Sequence, residues 1–459
     1  MLHAVLVGLR RMLGAVARFW GLRPPLRPPA GGRLRVLIAG GYGYSNVGDE
    51  AQLAANLQHW RQAAPGCELT VLTPDPAYTE GLHGCRVERA PRVVFFRADR
   101  SLHYAESTRV FKLHFLLLAP LLLLNARLVR AGLPVCGITA AQARLLEVIQ
   151  QSEVLFFSGG GYLTGKTLSR LWDSMLLIRL ASLLGVPTIL SGQTIGVFGD
   201  RGSRALARWG LRRAQLIYLR DRSESRRDVM ELGSVPASRV ECTFDDALFL
   251  EAAPAQQVRQ VLEESGIDPE APYLAVNIHY WGQAPQVVET VTGELATLLE
   301  VIRREWGLQI ALVAMHPGDE WTCQQVRARM SQPPPLVRHG YQPAVVVGVI
   351  RGAAACLSMK HHPIIFAMGG AVPTIAVALD EYYDHKNQGA LELFGQAQCS
   401  LRCEPGELRA RVLEKLPEVL EKREQISAEI RRNVEQLRPR AGEVIYRWLA
   451  AFWAYRTGS

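Results

Sequence analysis

The chain has 459 residues, 48% of them hydrophobic and 21% charged, with a formal net charge of +9. That length exceeds one ordinary core and suits two domains with additions, and the composition excludes a disordered or fibrous chain. The positive balance favours anionic partners, but the arginines are spread along the chain without the aromatic-interleaved patch of a nucleic-acid binder, so nucleic acid is set aside.

In chain order, Met1–Trp20 comes first. Leu2, Leu6, Leu9, Leu13 and Val16 recur at helical spacing with Arg10, Arg11 and Arg18 between them, and the Pro-rich run Pro24–Pro29 closes the segment. It reads as an interfacial amphipathic helix able to touch an anionic membrane, with a simple docking helix as the alternative. Leu34–Ala39 is a buried strand by composition; Gly40–Gly43 turns the chain and Asp49–Arg61 reads as the first helix. Leu113–Leu124 is strongly apolar, but Pro120 interrupts it and it is shorter than the ~20 residues of a spanning helix. A buried helix is the expectation there, and a shallow membrane-touching helix the second reading.

The strand–loop–helix rhythm recurs. Val154–Ser158 runs into Gly159–Gly161, followed by a helix from about Leu168 to Leu184. Thr188–Ser191 runs into Gly192–Gly196, Leu216–Leu219 into Arg220-Asp221-Arg222, and Val240–Thr243 into Asp245-Asp246. After a change of composition at Ala252–Gln256 the alternation restarts: Tyr273–Ile278 leads to His279–Gly282, Gln309–Ala314 to Met315–Asp319, Cys356–Ser358 to Lys360-His361-His362, and Thr374–Leu379 to Asp380. From Glu404 the chain is helical and charged, ending with Trp448, Phe452 and Trp453. This predicts an N-terminal segment (1–33), two Rossmann-like lobes (34–252 and 253–400) and C-terminal helices (401–459). The class is α/β, with parallel sheets facing an interlobe cleft in a GT-B-like arrangement. Parallel sheets bind ligands at the carboxyl ends of their strands, and there these strands carry glycine, histidine or charge.

The candidate residues follow from that rule. Gly40–Gly48 is neither a Walker A loop nor a dinucleotide fingerprint; Gly41, Tyr44, Asn46 and Asp49 can shape a cleft wall, or the loop is a tight turn capped by Asn46 or Asp49. Gly160 and Gly161 leave room for a substrate against the backbone or merely allow a sharp bend. Gln193 offers an amide to a sugar or carboxylate. Arg220 is an anion clamp or half of an internal ion pair. In Ser358-Met359-Lys360-His361-His362 a cation and two imidazoles follow a buried strand, which suits acid–base work better than a metal. Asp380 can hold sugar hydroxyls and Lys386 can meet an anion, unless both belong to a solvated loop. The eight cysteines include no C-x-x-C pair and read as reduced thiols; no metal or cofactor is expected.

In order and spacing these motifs resemble the polysaccharide pyruvyl transferase family, over roughly Arg35 to Gly395. The carriers are Gly41–Glu50, Gly159–Gly161, Gly192–Gly196, Arg220-Asp221 with Ser223 and Asp245, and above all Ser358-x-Lys360-x-His362 leading to Ile365–Ala367, Val372-Pro373, Asp380, Lys386 and Gly389. The resemblance implies transfer of the enolpyruvyl unit of phosphoenolpyruvate onto two hydroxyls of a saccharide or lipid-linked saccharide, as a cyclic ketal with release of phosphate. It implies His362 as the catalytic histidine. Ser358, Lys360, His279 and Lys386 fall to the donor side, and the glycine loops with Tyr44, Asn46, Asp49, Gln193, Arg220 and Asp380 to the acceptor side. Lys360 stands where the family usually has arginine, and His279 follows Val276 where it tends to place another arginine; lysine keeps the charge but loses the bidentate fork. The setting implied is cytoplasmic, peripheral at the inner face of the membrane. A GT-B glycosyltransferase using a nucleotide sugar and a non-catalytic polysaccharide-assembly protein are the rival readings.

Overall fold

The computed structural model describes residues 33–91, 109–222, 224–280 and 284–457. The reading of Met1–Trp20 as an interfacial helix lies outside them, as do Ser223 and Trp281-Gly282.

The first sheet is built from β1 (Arg35–Ala39), β2 (Glu68–Thr73), β3 (Arg86–Arg89), β4 (Val154–Phe157), β5 (Gly160–Leu163), β6 (Thr188–Ile195), β7 (Leu216–Leu219) and β8 (Val240–Cys242). Its order is β3-β2-β1-β4-β6-β7-β8, with β5 beside the far end of β6, and every pairing is parallel. The helices between them are α1 (Val47–Ala63), α2 (Pro76–His83), α3 (Arg109–Arg130), α4 (Ala140–Gln150), α5 (Leu168–Leu184), α6 (Arg201–Leu211) and α7 (Glu224–Glu231). On one face of the sheet α3 to α7 bury Leu155, Phe157, Met175 and Leu211. On the other, fully buried Trp60 of α1 meets Phe156 edge-on at 5.6 Å, a burial worth about 3 kcal/mol by area.

The second half contains α8 (Ala255–Glu264), β9 (Tyr273–Asn277), α9 (Pro285–Trp306), β10 (Gln309–Leu312), α10 (Pro317–Arg327), α11 (Pro343–Arg351), β11 (Ala355–Ser358), α12 (His361–Gly369), β12 (Thr374–Ala378), α13 (Glu381–Glu392) and β13 (Ser400–Arg402). Its sheet is parallel in the order β10-β9-β11-β12-β13. Proline at the first turn of α9, α10 and α11 starts each helix where a missing N–H costs nothing. α14 (Leu408–Glu421) and α15 (Arg423–Leu437) cover this second sheet, and α16 (Glu443–Thr457) returns to the first, where Trp448 packs on Trp60 at 5.9 Å. α1 also reaches across: Val47, Ala51 and Ala55 pack in the second core, and Val47 N–H donates to Met315 O at 2.9 Å. The two sheets thus present strand carboxyl ends to a shared cleft.

Three local expectations are revised. β6 continues through Gly192-Gln193-Thr194, so that stretch is strand rather than loop. α1 starts at Val47, because Asn46 caps it by accepting from Gly48 N–H. α3 runs straight through Pro120, which sits on its exposed face, and the inward packing of Leu122, Ala126 and Val129 offsets the lost hydrogen bond. Nor is that helix buried throughout, since Leu116, Leu117 and Leu124 are exposed.

Candidate functional site

Between the lobes lies a cleft of about 710 Å³. Tyr44, Asn46, Asp49, Gly161, Lys166, Arg170 and Arg220 come to it from the first lobe. His316, Trp321, Lys360, His361, His362, Tyr382, Tyr383 and Lys386 come from the second.

Its floor is an ion network around Asp245, which follows β8. Arg220, at the end of β7, donates from Nη1 to Asp245 Oδ2 at 2.5 Å and from Nε to Thr194 Oγ1 at 2.6 Å. Gln52 Nε2 donates to the same carboxylate oxygen at 2.9 Å, and His361 Nε2 lies 3.3 Å from it. Burial works to raise the Asp245 carboxyl, but Arg220, His361 and His362 outweigh it and hold it well below the usual carboxylate range. The neighbouring Asp246 has no ion-pair partner among the described residues; burial pushes it up to about 6, although Asn56 and Ser191 donate to it at 2.8 and 2.7 Å.

Arg220 is 3% exposed, and its Nη2 is buried without a hydrogen-bond partner among the described residues. The open side of Gly161 shows where it points. A Cβ built there would stand 3.1 Å from Lys386 Nζ, 3.2 Å from Arg220 Nη2 and 3.4 Å from Tyr382 Oη. Three donors therefore converge over a backbone with no side chain, an arrangement suited to a carboxylate or phosphate oxygen. Lys386 Nζ also bonds Tyr382 Oη at 3.2 Å, and Lys166 Nζ lies 4.3 Å from the centre of the same ring. Burial alone would raise the Tyr382 phenol, but Lys386, Arg220 and Lys166 bring it below its ordinary value.

His362 stands in the first turn of α12 with its side chain 13% exposed. Its Nε2 lies 3.7 Å from Asp245 Oδ2 and makes no hydrogen bond among the described residues. Burial, with help from His361, Arg220 and Lys386 and against Asp245, pushes its pKa well below the usual imidazole value, so the ring is neutral near pH 7. Gly48 of α1 packs directly on it: a Cβ at that position would fall 1.9 Å from His362 Nδ1. On the opposite wall Asp49 accepts from Asn46 Nδ2 at 2.8 Å, and burial pushes its carboxyl up to about 6 against the pull of Arg170. Arg170 in turn lies 4.7 Å from the centre of the Tyr44 ring.

A second network organises the C-terminal wall around Asp319. Its carboxylate takes Lys360 Nζ at 2.8 Å and Met315 N–H at 3.0 Å, and His279 Nδ1 lies 3.1 Å away. His279 Nε2 meets Tyr383 Oη at 2.9 Å. Lys360 therefore brings to the cleft a charge shared with Asp319, and His279 sits behind Tyr383, its pKa lowered by burial and Lys360.

The structure thus gathers Tyr44, Asn46, Asp49, Gly161, Arg220, Lys360, His362 and Lys386 at one cleft. The remaining candidates do not line it. Ser358 is fully buried and locks the turn, accepting from Lys360 N–H and donating to Lys360 O at 2.8 Å. Gln193, inside β6, donates to Ser158 O at 2.6 Å and to Ser191 O at 3.0 Å. Asp380 caps α13 by accepting from Tyr383 N–H. Gly41 backs onto Tyr162 and Asp49, and Gly160 adopts φ +150 where a Cβ would strike Tyr162. Arg220, expected on the acceptor side, shares its anion corner with Lys386, expected on the donor side. Lys166, Arg170 and Trp321 escape the sequence reading, and Asp319, Tyr382 and Tyr383, which fall in its strand-end runs, are not among its candidates. Lys166 and Arg170 follow the triple glycine, and Tyr382 and Tyr383 sit in the same run as Asp380; the strand-end rule reaches them if the window is widened by a few residues.

The fold places the chain among known architectures. The UDP-GlcNAc 2-epimerase of Neisseria meningitidis, solved with UDP-GlcNAc, superposes with a TM-score of 0.55 at 10% identity, covering 91% of this chain and 100% of that one. A glycosyltransferase of Rickettsia africae gives 0.52 at 8% identity, covering 93% and 99%. A putative UDP-N-acetylglucosamine 2-epimerase of Listeria monocytogenes gives 0.55 at 9% identity, covering 93% and 98%. At such identities the likeness concerns the fold alone, which is GT-B-like. No curated protein sequence matches the chain. The profile of one family, described as polysaccharide pyruvyl transferase, matches residues 46–381, a span from the cap of α1 to the start of α13 that includes both carboxylate networks and His362. The chain belongs to the polysaccharide pyruvyl transferase family.

Proposed function

We propose that the protein transfers the pyruvyl group of phosphoenolpyruvate to two hydroxyls of a polysaccharide or its lipid-linked precursor, forming a cyclic ketal. The observation that carries this reading is the buried, unpartnered Arg220 Nη2, which shares the open face of Gly161 with Lys386 Nζ and Tyr382 Oη. A donor bearing a carboxylate and a phosphate supplies the anionic oxygens that such a corner lacks. In the reaction the methylene carbon gains a proton and becomes methyl. Two acceptor oxygens form C–O bonds to the adjacent carbon as each hydroxyl loses its proton, one proton balancing that taken up by the methylene carbon and the other leaving on the phosphate, whose oxygen–carbon bond breaks.

His362 is the group assigned to proton transfer. Its imidazole is neutral near pH 7, ready to accept a hydroxyl proton. The negative charge of an arriving donor raises its pKa toward the form that protonates the methylene carbon. Asp49 faces the cleft as a second acid–base group, and exposed Trp321 offers a flat apolar wall to a sugar ring. The acceptor sits against Tyr44, Asn46 and Asp49, and the setting is cytoplasmic, at the inner face of a cell envelope whose exopolysaccharide precursors are lipid-linked.

Purified protein mixed with phosphoenolpyruvate and a saccharide acceptor should release phosphate and raise the acceptor mass by roughly 70 Da, pyruvyl minus water. Release of a nucleoside diphosphate from a nucleotide sugar instead, or no turnover with either donor, overturns the reading.

A further inference from the structure

The outer surface of the first lobe carries a feature that the cleft chemistry does not use. α3 buries Phe115, Leu122, Ala126 and Val129, with the Phe115 ring 4.6 Å from that of Trp172 on α5. Its opposite face leaves Leu116, Leu117 and Leu124 exposed at 63%, 70% and 48%, with exposed Pro120 between them. Residues three and four apart share a helix face, so these form one apolar stripe. The helix has no Asp or Glu, and Arg127 and Arg130 stand exposed at its end.

The arginines continue beyond α3. α5 packs against both α3 and α6; α6 exposes Arg208, and Arg204, which pairs with Glu231 of α7 at 3.7 Å, while Arg212 and Arg213 stand exposed just past its end. Between them Arg179 lies 5.0 Å from the centre of the Trp209 ring. Its Nε and Nη1 are buried without hydrogen-bond partners among the described residues. Burial, then Arg213, Arg212 and Arg127, push its pKa down, which puts four guanidiniums within electrostatic reach. Among the described residues no carboxylate pairs with Arg127, Arg179, Arg212 or Arg213.

We propose that this α3–α6 face rests on an anionic lipid surface, with the leucine stripe in the headgroup–acyl boundary and the arginines on lipid phosphates. A bilayer supplies an apolar layer and a sheet of phosphates in one plane, matching both halves of the patch. Among the described residues no helix is long and apolar enough to cross a membrane, so α3 lies on the surface. Cover by residues 1–32 is disfavoured by charge, since that segment holds Arg10, Arg11, Arg18, Arg23 and Arg27 and no carboxylate. A second copy joined by a two-fold would set like guanidinium clusters against each other. The inference does not depend on the identity of the donor in the cleft.

The test is cosedimentation of the full chain with vesicles of phosphatidylcholine alone or mixed with phosphatidylglycerol. The wild type is expected to bind only the anionic vesicles, and less at high salt. The triple variants Leu116→Ser/Leu117→Ser/Leu124→Ser and Arg127→Ser/Arg212→Ser/Arg213→Ser should each cut partitioning at least about tenfold. All the altered side chains are exposed, so Tm should hold, and removal of residues 1–32 should leave binding in place. Wild-type partitioning by both triple variants overturns the proposal. So does wild-type failure to bind, equal binding to neutral vesicles, loss of all binding on removing residues 1–32, or a wild-type dimer that the leucine variant dissociates.

Discussion

Gly48→Ala should disable the enzyme through His362 alone. Alanine suits the first turn of α1 at least as well as glycine, with a helix propensity better by about 1 kcal/mol, and the backbone bond to the Asn46 cap is unaffected. The added methyl, however, would lie 1.9 Å from His362 Nδ1, against an ordinary contact of about 3.4 Å. The ring must therefore move by roughly 1.5 Å, and a displacement of that size at a reacting group costs on the order of a hundredfold in kcat. Arg220 and Lys386 touch neither atom, so KM for phosphoenolpyruvate should change little. The assay is acceptor-dependent phosphate release, with thermal unfolding as the control. A double-mutant cycle sharpens it: with His362→Ala already present, the clash is gone and Gly48→Ala should add no further loss. Near-normal kcat in Gly48→Ala, or additive losses in the cycle, would refute the reasoning.

Arg220→Lys keeps the charge but cannot reproduce the three-way fork, so KM for phosphoenolpyruvate should rise about tenfold or more; an unchanged KM removes Nη2 from donor binding. Asp319→Asn leaves Lys360 and His279 without their shared anion, and urea unfolding should show a loss of about 3 kcal/mol; a loss within error would mean the network contributes nothing to stability. Asp246 titrates at about 6 in the fold against an ordinary 3.8. Its protonated form is thus favoured by folding, and the stability it contributes is complete below the ordinary value and lost as pH rises through about 6. The Tm of Asp246→Asn relative to wild type should climb between those limits; a flat difference would contradict a raised carboxyl pKa.

Much of the fold was legible because buried parallel strands are near-continuous apolar runs, and their punctuation by glycine and charge is local. The helix expected from about Leu168 to Leu184 is there, and in the fold Gly185 ends it in a left-handed cap. β3 and α2 were not, because neither is apolar or periodic enough to stand out. Gln193 was misread because Gly192 and Gly196 resemble a loop, while in the fold the strand passes through Gly192 and ends only at Ile195, just before Gly196. Within the site, residues carried on one strand end were visible, His362 and Lys360 among them. What could not be read was how distant segments share a charge. Asp245 binds Arg220 and Gln52, from two other segments of the chain, and Asp319 decides whether Lys360 is free; no spacing along the chain encodes either pairing.

The return of α16 to the first lobe bears on how the cleft can open. The backbone passes from one lobe to the other after β8 and comes back between α15 and α16, where Trp448 settles on Trp60. Besides these two crossings, the buried Val47, Ala51 and Ala55 of α1 and the Asp245–His361 contact join the lobes, so the halves meet along a packed seam. Val47 on Met315 O and Gly48 against His362 lie on that seam, so a shift between the lobes would be felt at the His362 ring. Cutting the chain before α16 would bare the Trp60 surface that Trp448 covers and should favour aggregation.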